Sequence, residues 1–146
     1  MKLVIATPLR EEHDELQEEL ARAVKVDGRI GEAAREVALL LEPRFVEEKQ
    51  DALPPLGLLQ ALVEGPVTAD TQDVLLLDRL KADLPKMLAG HGAVVGALRK
   101  LAAAAEREEK PEWARFAEKL ILHIQFEERV LYPAAILVGE HVKARA

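Results

Sequence analysis

Apolar residues recur at steps of three and four through most of this 146-residue chain, and this spacing limits the fold more than any other feature. Residues at these steps lie on one face of an α-helix, and that face has to pack against other helices. β-branched and aromatic residues, which favour strands, are scattered, and aromatic residues make up only 3% of the chain. The sequence therefore predicts an all-α fold, with residues 1–146 forming a single domain.

Turn and capping signals divide the pattern into helices. Thr7 is expected to be the N-cap of the first helix, with Pro8 in the first helical position. Pro43 is expected to bend the second helix or loosen one of its turns, and Pro85 either kinks a helical stretch that starts at Thr71 or begins the third helix. The four main helices are predicted over residues 8–26, 31–52, 84–106 and 111–134.

Residues 53–70 are predicted to form a long connection with a short helical turn at residues 58–63. A connection of this length is unusual inside a small domain unless it covers something, such as the mouth of a site. The expected architecture is an antiparallel four-helix bundle with this crossover between the second and third helices. Its core is predicted to contain Leu16, Leu20, Val37, Leu41, Val95, Leu98, Phe116 and Leu120.

The composition excludes several classes of function. The chain has no cysteine, so disulfides, thiolate catalysis and cysteine-ligated metal sites are excluded, and a metal would need His, Asp or Glu. It also has no serine, so the usual nucleophiles are missing, and we expect a protein that is not an enzyme. A net charge of −6 without a clustered basic face argues against nucleic acid as a partner.

Targeting and membrane signals are missing from the sequence as well. The chain has no apolar run long enough for a membrane helix, and its first residues lack the apolar stretch of a signal peptide. We therefore expect a protein without a membrane partner, located in the cytoplasm. The acidic net charge by itself indicates only solubility.

Each apolar stripe is interrupted by polar side chains that a protein core rarely contains. These residues are His13, Arg44, Glu48, His91, His123 and Glu127. A buried carboxylate or guanidinium is costly unless it is paired or bound to a metal. The interruptions therefore call for a common explanation.

Counting from the predicted turns places these residues at one height. His91 lies 18 residues before a turn at Glu109, and residue 125, midway between His123 and Glu127, lies 16 residues after it. At about 1.5 Å per residue, the two levels differ by about 3 Å. A similar count from the first turn brings the polar residues of the first two helices to one level. All six side chains are therefore expected to meet in one layer.

The residue types in this layer are those that bind metals. His123 and Glu127 lie four residues apart, which places an imidazole and a carboxylate on the same face of a helix. One such motif is more often an ion pair, and one such histidine is more often hydrogen-bonded in a core, but several at one height favour a metal site. The predicted metal ligands are His13, Glu48, His91, His123 and Glu127. The remaining histidine, His141, is expected to be solvated near the C-terminus.

Four segments that contain these residues resemble the hemerythrin-like, or HHE cation-binding, family: residues 9–16, 44–48, 87–91 and 123–133. The resemblance spans nearly the whole chain and implies an up-down four-helix bundle. It also implies a non-haem di-iron centre that binds dioxygen or senses iron or oxidants. In that centre His13, His91 and His123 would be imidazole ligands, and Glu48 and Glu127 would be bridging carboxylates.

Arg44 departs from the family pattern, which has His-x-x-x-Glu on the second helix as well as on the fourth. Its guanidinium is always protonated and cannot donate a lone pair to a metal, so one ligand is missing. In one interpretation Arg44 points into the layer and its charge replaces the metals, which leaves a metal-free interaction module. In the other, Arg44 turns aside and His13, His91, His123 and Glu127 hold one ion. We expect a degenerate or mononuclear site, with iron, zinc and manganese as candidate ions and dioxygen as a candidate ligand.

Overall fold

The computed structural model describes residues 3–68 and 70–144, and within these ranges the chain is helical with no β-strand. The all-α prediction is confirmed. The helices are α1 Thr7–Val24, α2 Arg29–Glu47, α3 Leu59–Glu64, α4 Thr71–Arg107, α5 Pro111–Phe126 and α6 Tyr132–Lys143. A first π turn over Glu48–Ala52 follows α2, a 3-10 turn over Pro54–Leu58 precedes α3, and a second π turn over Glu127–Leu131 joins α5 to α6. Ala69, part of the predicted connection, and residues 1–2 and 145–146 lie outside the described residues.

Two helix starts have clear local causes. α1 begins with Pro8 in its first turn, where a missing N–H is tolerated. Its N-cap is Ala6, which makes no side-chain cap, so the prediction of Thr7 as N-cap is wrong by one residue. α4 begins with a capping box: the Asp70 carboxylate accepts a hydrogen bond from the Asp73 N–H at 2.8 Å, and the Asp73 carboxylate accepts one from the Asp70 N–H at 3.1 Å.

α4 is one continuous helix of 37 residues that runs through Pro85. A proline removes one intrahelical hydrogen bond, yet Leu80 and Met87 on either side of it are buried and hold the segment in place. The alternative that a new helix starts near Pro85 is therefore wrong. Pro43 likewise lies inside α2 without ending it.

The fourth predicted helix also continues past its expected end, since α5, the second π turn and α6 reach Lys143 rather than residue 134. A π turn inserts one residue into the helical period. The buried stripe therefore continues through Tyr132, Ala135, Val138 and Val142. A prediction that assumes a constant helical period therefore assigns the wrong residues to the buried face after the second π turn.

The main apolar core contains seven of the eight predicted residues: Leu16, Leu20, Val37, Leu41, Leu98, Phe116 and Leu120. Val95 is only half-buried, and Val94 takes the fully buried position in its place. The prediction for this part of α4 is therefore displaced by one residue. Nearer the start of α4, Met87 is buried, whereas the neighbouring Leu88 is 37% exposed.

A second apolar cluster lies further along the same helical segments. It contains Ala52, Leu53, Leu56, Leu80, Met87, Leu131, Tyr132 and Ala135. The predicted polar residues fall between the two clusters; His91, for example, lies between Met87 of the second cluster and Val94 of the first. We call these residues the polar layer: His13, Glu48, His91, His123 and Glu127.

α4 packs against α2, α5 and α6, whereas α1 packs mainly against α2 and also contacts α5. α4 thus lies beside both segments that carry the buried glutamates of the polar layer. Among the helices of the described ranges, none combines the length and the apolar character that crossing a membrane requires.

Candidate metal centre

The structure brings together the five residues predicted as metal ligands. Each side chain of the polar layer is buried, with an exposed fraction of at most 6%. His13 comes from α1, Glu48 begins the first π turn, His91 lies on α4, His123 lies on α5 and Glu127 begins the second π turn. Five of the six side chains that were expected to meet in one layer therefore do so, and Arg44 does not.

Three donor atoms of the layer form a nearly equilateral triangle. The His13 Nε2 atom lies 3.3 Å from His123 Nε2 and 3.3 Å from Glu127 Oε2, and the last two atoms are 3.5 Å apart. Ligands about 2.0–2.1 Å from one tetrahedral ion are separated by roughly 3.3–3.4 Å. The triangle therefore has the size of one face of a tetrahedral metal site, and Glu48 Oε2, 3.3 Å from His13 Nε2, lies beside it.

A second group of donors shares Glu127 with the first. It consists of Glu48, His91 and Glu127, whose ligand atoms lie within 4.8 Å of one another. Glu48 Oε1 is 3.6 Å from His91 Nε2. The buried histidines and glutamates of the layer can therefore hold a metal ion in either group.

Two outer carboxylates orient the histidine rings. Glu12 Oε1 lies 2.5 Å from His123 Nδ1, and Glu128 Oε1 lies 3.1 Å from His91 Nδ1. Each carboxylate accepts the Nδ1 proton, which leaves Nε2 pointing into the layer. Carboxylates in this position fix the tautomer of a metal-binding histidine and increase its basicity.

Electrostatics show how the layer balances its charges with protons. Burial, and then the charge of Glu127, raises the pKa of Glu48 from 4.5 to about 7 against the opposing effect of the neighbouring His91 imidazole. Burial also acts to raise the pKa of Glu127, but the neighbouring imidazoles of His123 and His13 outweigh it and lower the value to about 2. One carboxylate thus tends to hold a proton while its neighbour stays ionised.

The imidazoles of His91 and His123 share this behaviour. Burial lowers the pKa of both rings, but the carboxylates around them outweigh it, so both pKa values lie above the ordinary 6.5. For His91 these carboxylates are Glu48, Glu127 and Glu128. A cation that binds here would displace protons from these groups.

Hydrogen bonds between the described residues do not satisfy the layer completely. Glu48 Oε2 and Glu127 Oε2 are buried, and no N–H or hydroxyl group of the described residues donates a hydrogen bond to either. A buried carboxylate oxygen without a partner is costly, and a cation between the two glutamates would satisfy both. The donor set of three imidazoles and two carboxylates therefore fits a divalent or trivalent metal ion.

Both glutamates begin a π turn. The Leu53 N–H donates to the Glu48 carbonyl at 2.8 Å, and the Tyr132 N–H donates to the Glu127 carbonyl, in each case across five residues. Single π turns inside α-helices are rare and occur often at functional sites. The second turn brings the Tyr132 side chain into contact with the polar layer.

Tyr132 is the residue that the sequence pattern missed. Its hydroxyl donates to Glu48 Oε1 at 2.5 Å and lies 3.3 Å from His91 Nε2. Burial and the negative charges of Glu48 and Glu127 raise the pKa of Tyr132, so the phenol keeps its proton when no cation is present. Its position five residues after Glu127 does not match a helical step of three or four, which is why a periodic count passes over it.

Arg44 does not enter the polar layer as a counter-charge. Its guanidinium pairs with Glu47 at 3.3 Å and makes no hydrogen bond to Glu48 or Glu127 within the described part of the chain. It packs against Gly90, where an added Cβ would overlap the guanidinium. The interpretation in which Arg44 neutralises the two buried glutamates is therefore wrong, and the side chain turns aside.

His141 lies outside the polar layer. It is exposed on α6, as predicted for a solvated side chain, although it lies within a helix.

Comparisons of the chain with family models, with curated proteins and with solved structures find no match. Function is therefore inferred from the polar layer itself.

Proposed function

We propose that this chain is a hemerythrin-like metal-binding protein whose polar layer holds non-haem iron. One observation carries this proposal: Glu48 and Glu127 are buried side by side and face the Nε2 atoms of the layer, and each has an oxygen to which no N–H or hydroxyl group of the described residues donates. A bound cation is the simplest way to satisfy such a group. The resemblance of residues 9–16, 44–48, 87–91 and 123–133 to the HHE family supports iron as that cation.

We place the first ion at the triangle of His13, His123 and Glu127. Two imidazoles and one carboxylate are the donors that non-haem Fe(II) proteins use, and zinc and manganese bind the same types of donor. When bound, iron supplies a redox couple and a position for a small ligand such as dioxygen. Glu12 holds the His123 ring in orientation, and the apolar clusters on both sides of the layer restrict water.

The proposed architecture is an antiparallel, up-down four-helix bundle. The four helical segments are α1, α2 with the first π turn, α4, and α5 continued through the second π turn into α6. Each contributes at least one side chain to the same layer, as neighbouring segments of opposite direction would, with a long crossover between the second and the third. The proposed role of the layer is to bind or sense iron or oxygen, and the chain has no serine or cysteine nucleophile for hydrolysis.

A second candidate is a metal-free interaction module. Its support is twofold: the raised pKa of Glu48 favours a proton that Glu48 can share with Glu127, and the Tyr132 hydroxyl donates a hydrogen bond to Glu48. It gives no role to the converging Nε2 atoms and carboxylate oxygens of the two donor groups, and we therefore rank it below metal binding.

Elemental analysis of tag-free protein tests the proposal. We expect iron to co-purify with the wild-type chain, or to bind after chelator treatment, and to be lost in His123→Ala. His141→Ala is the matched control, because His141 is exposed and outside the layer. Wild-type protein that takes up no iron, or a His141→Ala variant that loses metal like His123→Ala, would contradict the proposal.

A further inference from the structure

Tyr132 places a phenol oxygen among the donors on one side of the polar layer. The ring is completely buried, and its hydroxyl is close to two predicted ligands that belong to different helical segments. The separations are 2.5 Å to Glu48 Oε1 and 3.3 Å to His91 Nε2, with 3.6 Å between Glu48 Oε1 and His91 Nε2. These three atoms form a second triangle of carboxylate, imidazole and phenol.

We propose that Tyr132 is a metal ligand, binding as a phenolate together with Glu48 and His91, and that it makes this side of the centre selective for ferric iron. The inference rests on the proposed function, since it assumes that the layer binds iron. It assigns a donor that the five predicted ligands do not include.

The position of Arg44 supports a donor from another segment. Position 44 lies one helical turn before Glu48, where a histidine would add an imidazole beside that carboxylate. Arg44 cannot donate to a metal, and its guanidinium is held away by Glu47 and by the space that Gly90 leaves. Tyr132 reaches the same carboxylate from the second π turn. Its phenol oxygen can donate to a metal, which the Arg44 guanidinium cannot do.

The chemistry of a phenolate explains the selectivity. A phenolate is a hard, anionic oxygen donor, and it favours the small, highly charged Fe(III) ion over divalent ions. When Fe(III) binds, the phenolic O–H bond breaks, the proton leaves to solvent, and the oxygen lone pair forms the bond to iron. Iron enters as Fe(III) and stays Fe(III), so the step requires no oxidant or reductant.

The composition makes the assignment unambiguous. The chain contains one tyrosine and no cysteine, so a phenolate-to-iron charge-transfer absorption can come only from Tyr132, and a thiolate cannot imitate it. Tyr132→Phe keeps the buried ring and removes only the hydroxyl. Wild-type protein carrying ring-deuterated tyrosine tests the same point without any substitution.

The experiment loads tag-free, chelator-treated protein with ferric citrate and measures iron per chain, visible absorption and resonance Raman spectra. We expect wild type to show a visible charge-transfer band with tyrosine ring modes that shift on ring deuteration. Tyr132→Phe is expected to lose the band and to keep iron at the His13–His123–Glu127 triangle. Its preference for Fe(III) over Zn(II) should fall by more than about tenfold, because even outer partners of a ligand change metal affinity about 10–100-fold.

The outcomes separate this inference from the proposed function. Wild-type protein that binds iron without a deuterium-sensitive band overturns the role of Tyr132 and leaves metal binding intact. An unchanged Fe(III) preference in folded Tyr132→Phe also overturns it. Wild-type protein that binds no iron overturns the proposed function, and this inference with it.

Discussion

Glu48 makes the stability of the metal-free protein depend on pH. Its pKa rises from 4.5 to about 7 on folding, so the folded state holds this proton more tightly than the unfolded state does. The resulting stabilisation is fully present below pH 4.5 and is lost as the pH rises through about 7. At about 1.4 kcal/mol per pKa unit, the loss amounts to about 3 kcal/mol.

The other groups of the layer do not cancel this trend. His91 and His123 also have raised pKa values, so their contribution is likewise lost as the pH rises above their folded-state values. Glu127 has a lowered pKa, and its stabilisation is present above pH 4.5 and is lost only as the pH falls through about 2. Between pH values of about 5 and 8 its contribution is therefore constant.

Urea denaturation with excess chelator measures the effect, with the fluorescence of the single tryptophan, Trp113, as the signal. We expect the free energy of unfolding of the wild type to fall by about 3 kcal/mol or more from about pH 5 to about pH 8. Glu48→Gln should remove most of this dependence, whereas Glu118→Gln, at an exposed position, should keep it. A flat wild-type profile, or the same slope in Glu48→Gln, would refute the reasoning.

Three further predictions concern the surroundings of the polar layer. Glu12→Gln should weaken metal binding by about 10–100-fold in chelator competition, because the variant no longer holds the His123 ring as a carboxylate does. Arg44→His should raise the iron retained per chain after dialysis, since it adds an imidazole and removes a fixed charge, and Arg44→Ala should raise it less; equal retention in all three proteins would contradict this. Gly92→Ala should raise the free energy of unfolding by about 0.5–1 kcal/mol, because a Cβ at this position of α4 enters open space. Gly90→Ala should raise the free energy of unfolding less, because the new Cβ displaces Arg44 from Glu47.

The sequence was sufficient to place the five predicted ligands in one layer but not to find every residue that surrounds them. His13, Glu48 and His91 interrupt apolar stripes, and a constant rise per residue fixes their height once the turns are known. The stripe on α4 was displaced by one residue at Val94, because steps of three and of four from His91 both reach a valine and both paths continue to Leu98. Periodicity alone does not choose between Val94 and Val95.

The outer carboxylates could not be predicted for a different reason. Glu12 and Glu128 each lie next to a layer residue in sequence, yet each contacts a histidine of another helical segment. A periodic pattern describes one helix at a time, so it indicates which face is buried but not which neighbour a side chain beside that face will reach. Arg44 belongs to the same class, because its direction depends on Gly90 of α4.

The two halves of the centre are built alike and differ at corresponding positions. Each glutamate begins a π turn, and the residue five positions later is fully buried: Leu53 after Glu48 and Tyr132 after Glu127. Four residues before its glutamate, the first half has Arg44, and the second half has His123. The first half therefore has no metal donor at either of these flanking positions, whereas the second half has one at both. The Tyr132 hydroxyl contacts Glu48, the glutamate of the first half, rather than Glu127. The extra donor of the second half therefore lies beside the glutamate whose flanking positions carry no metal donor.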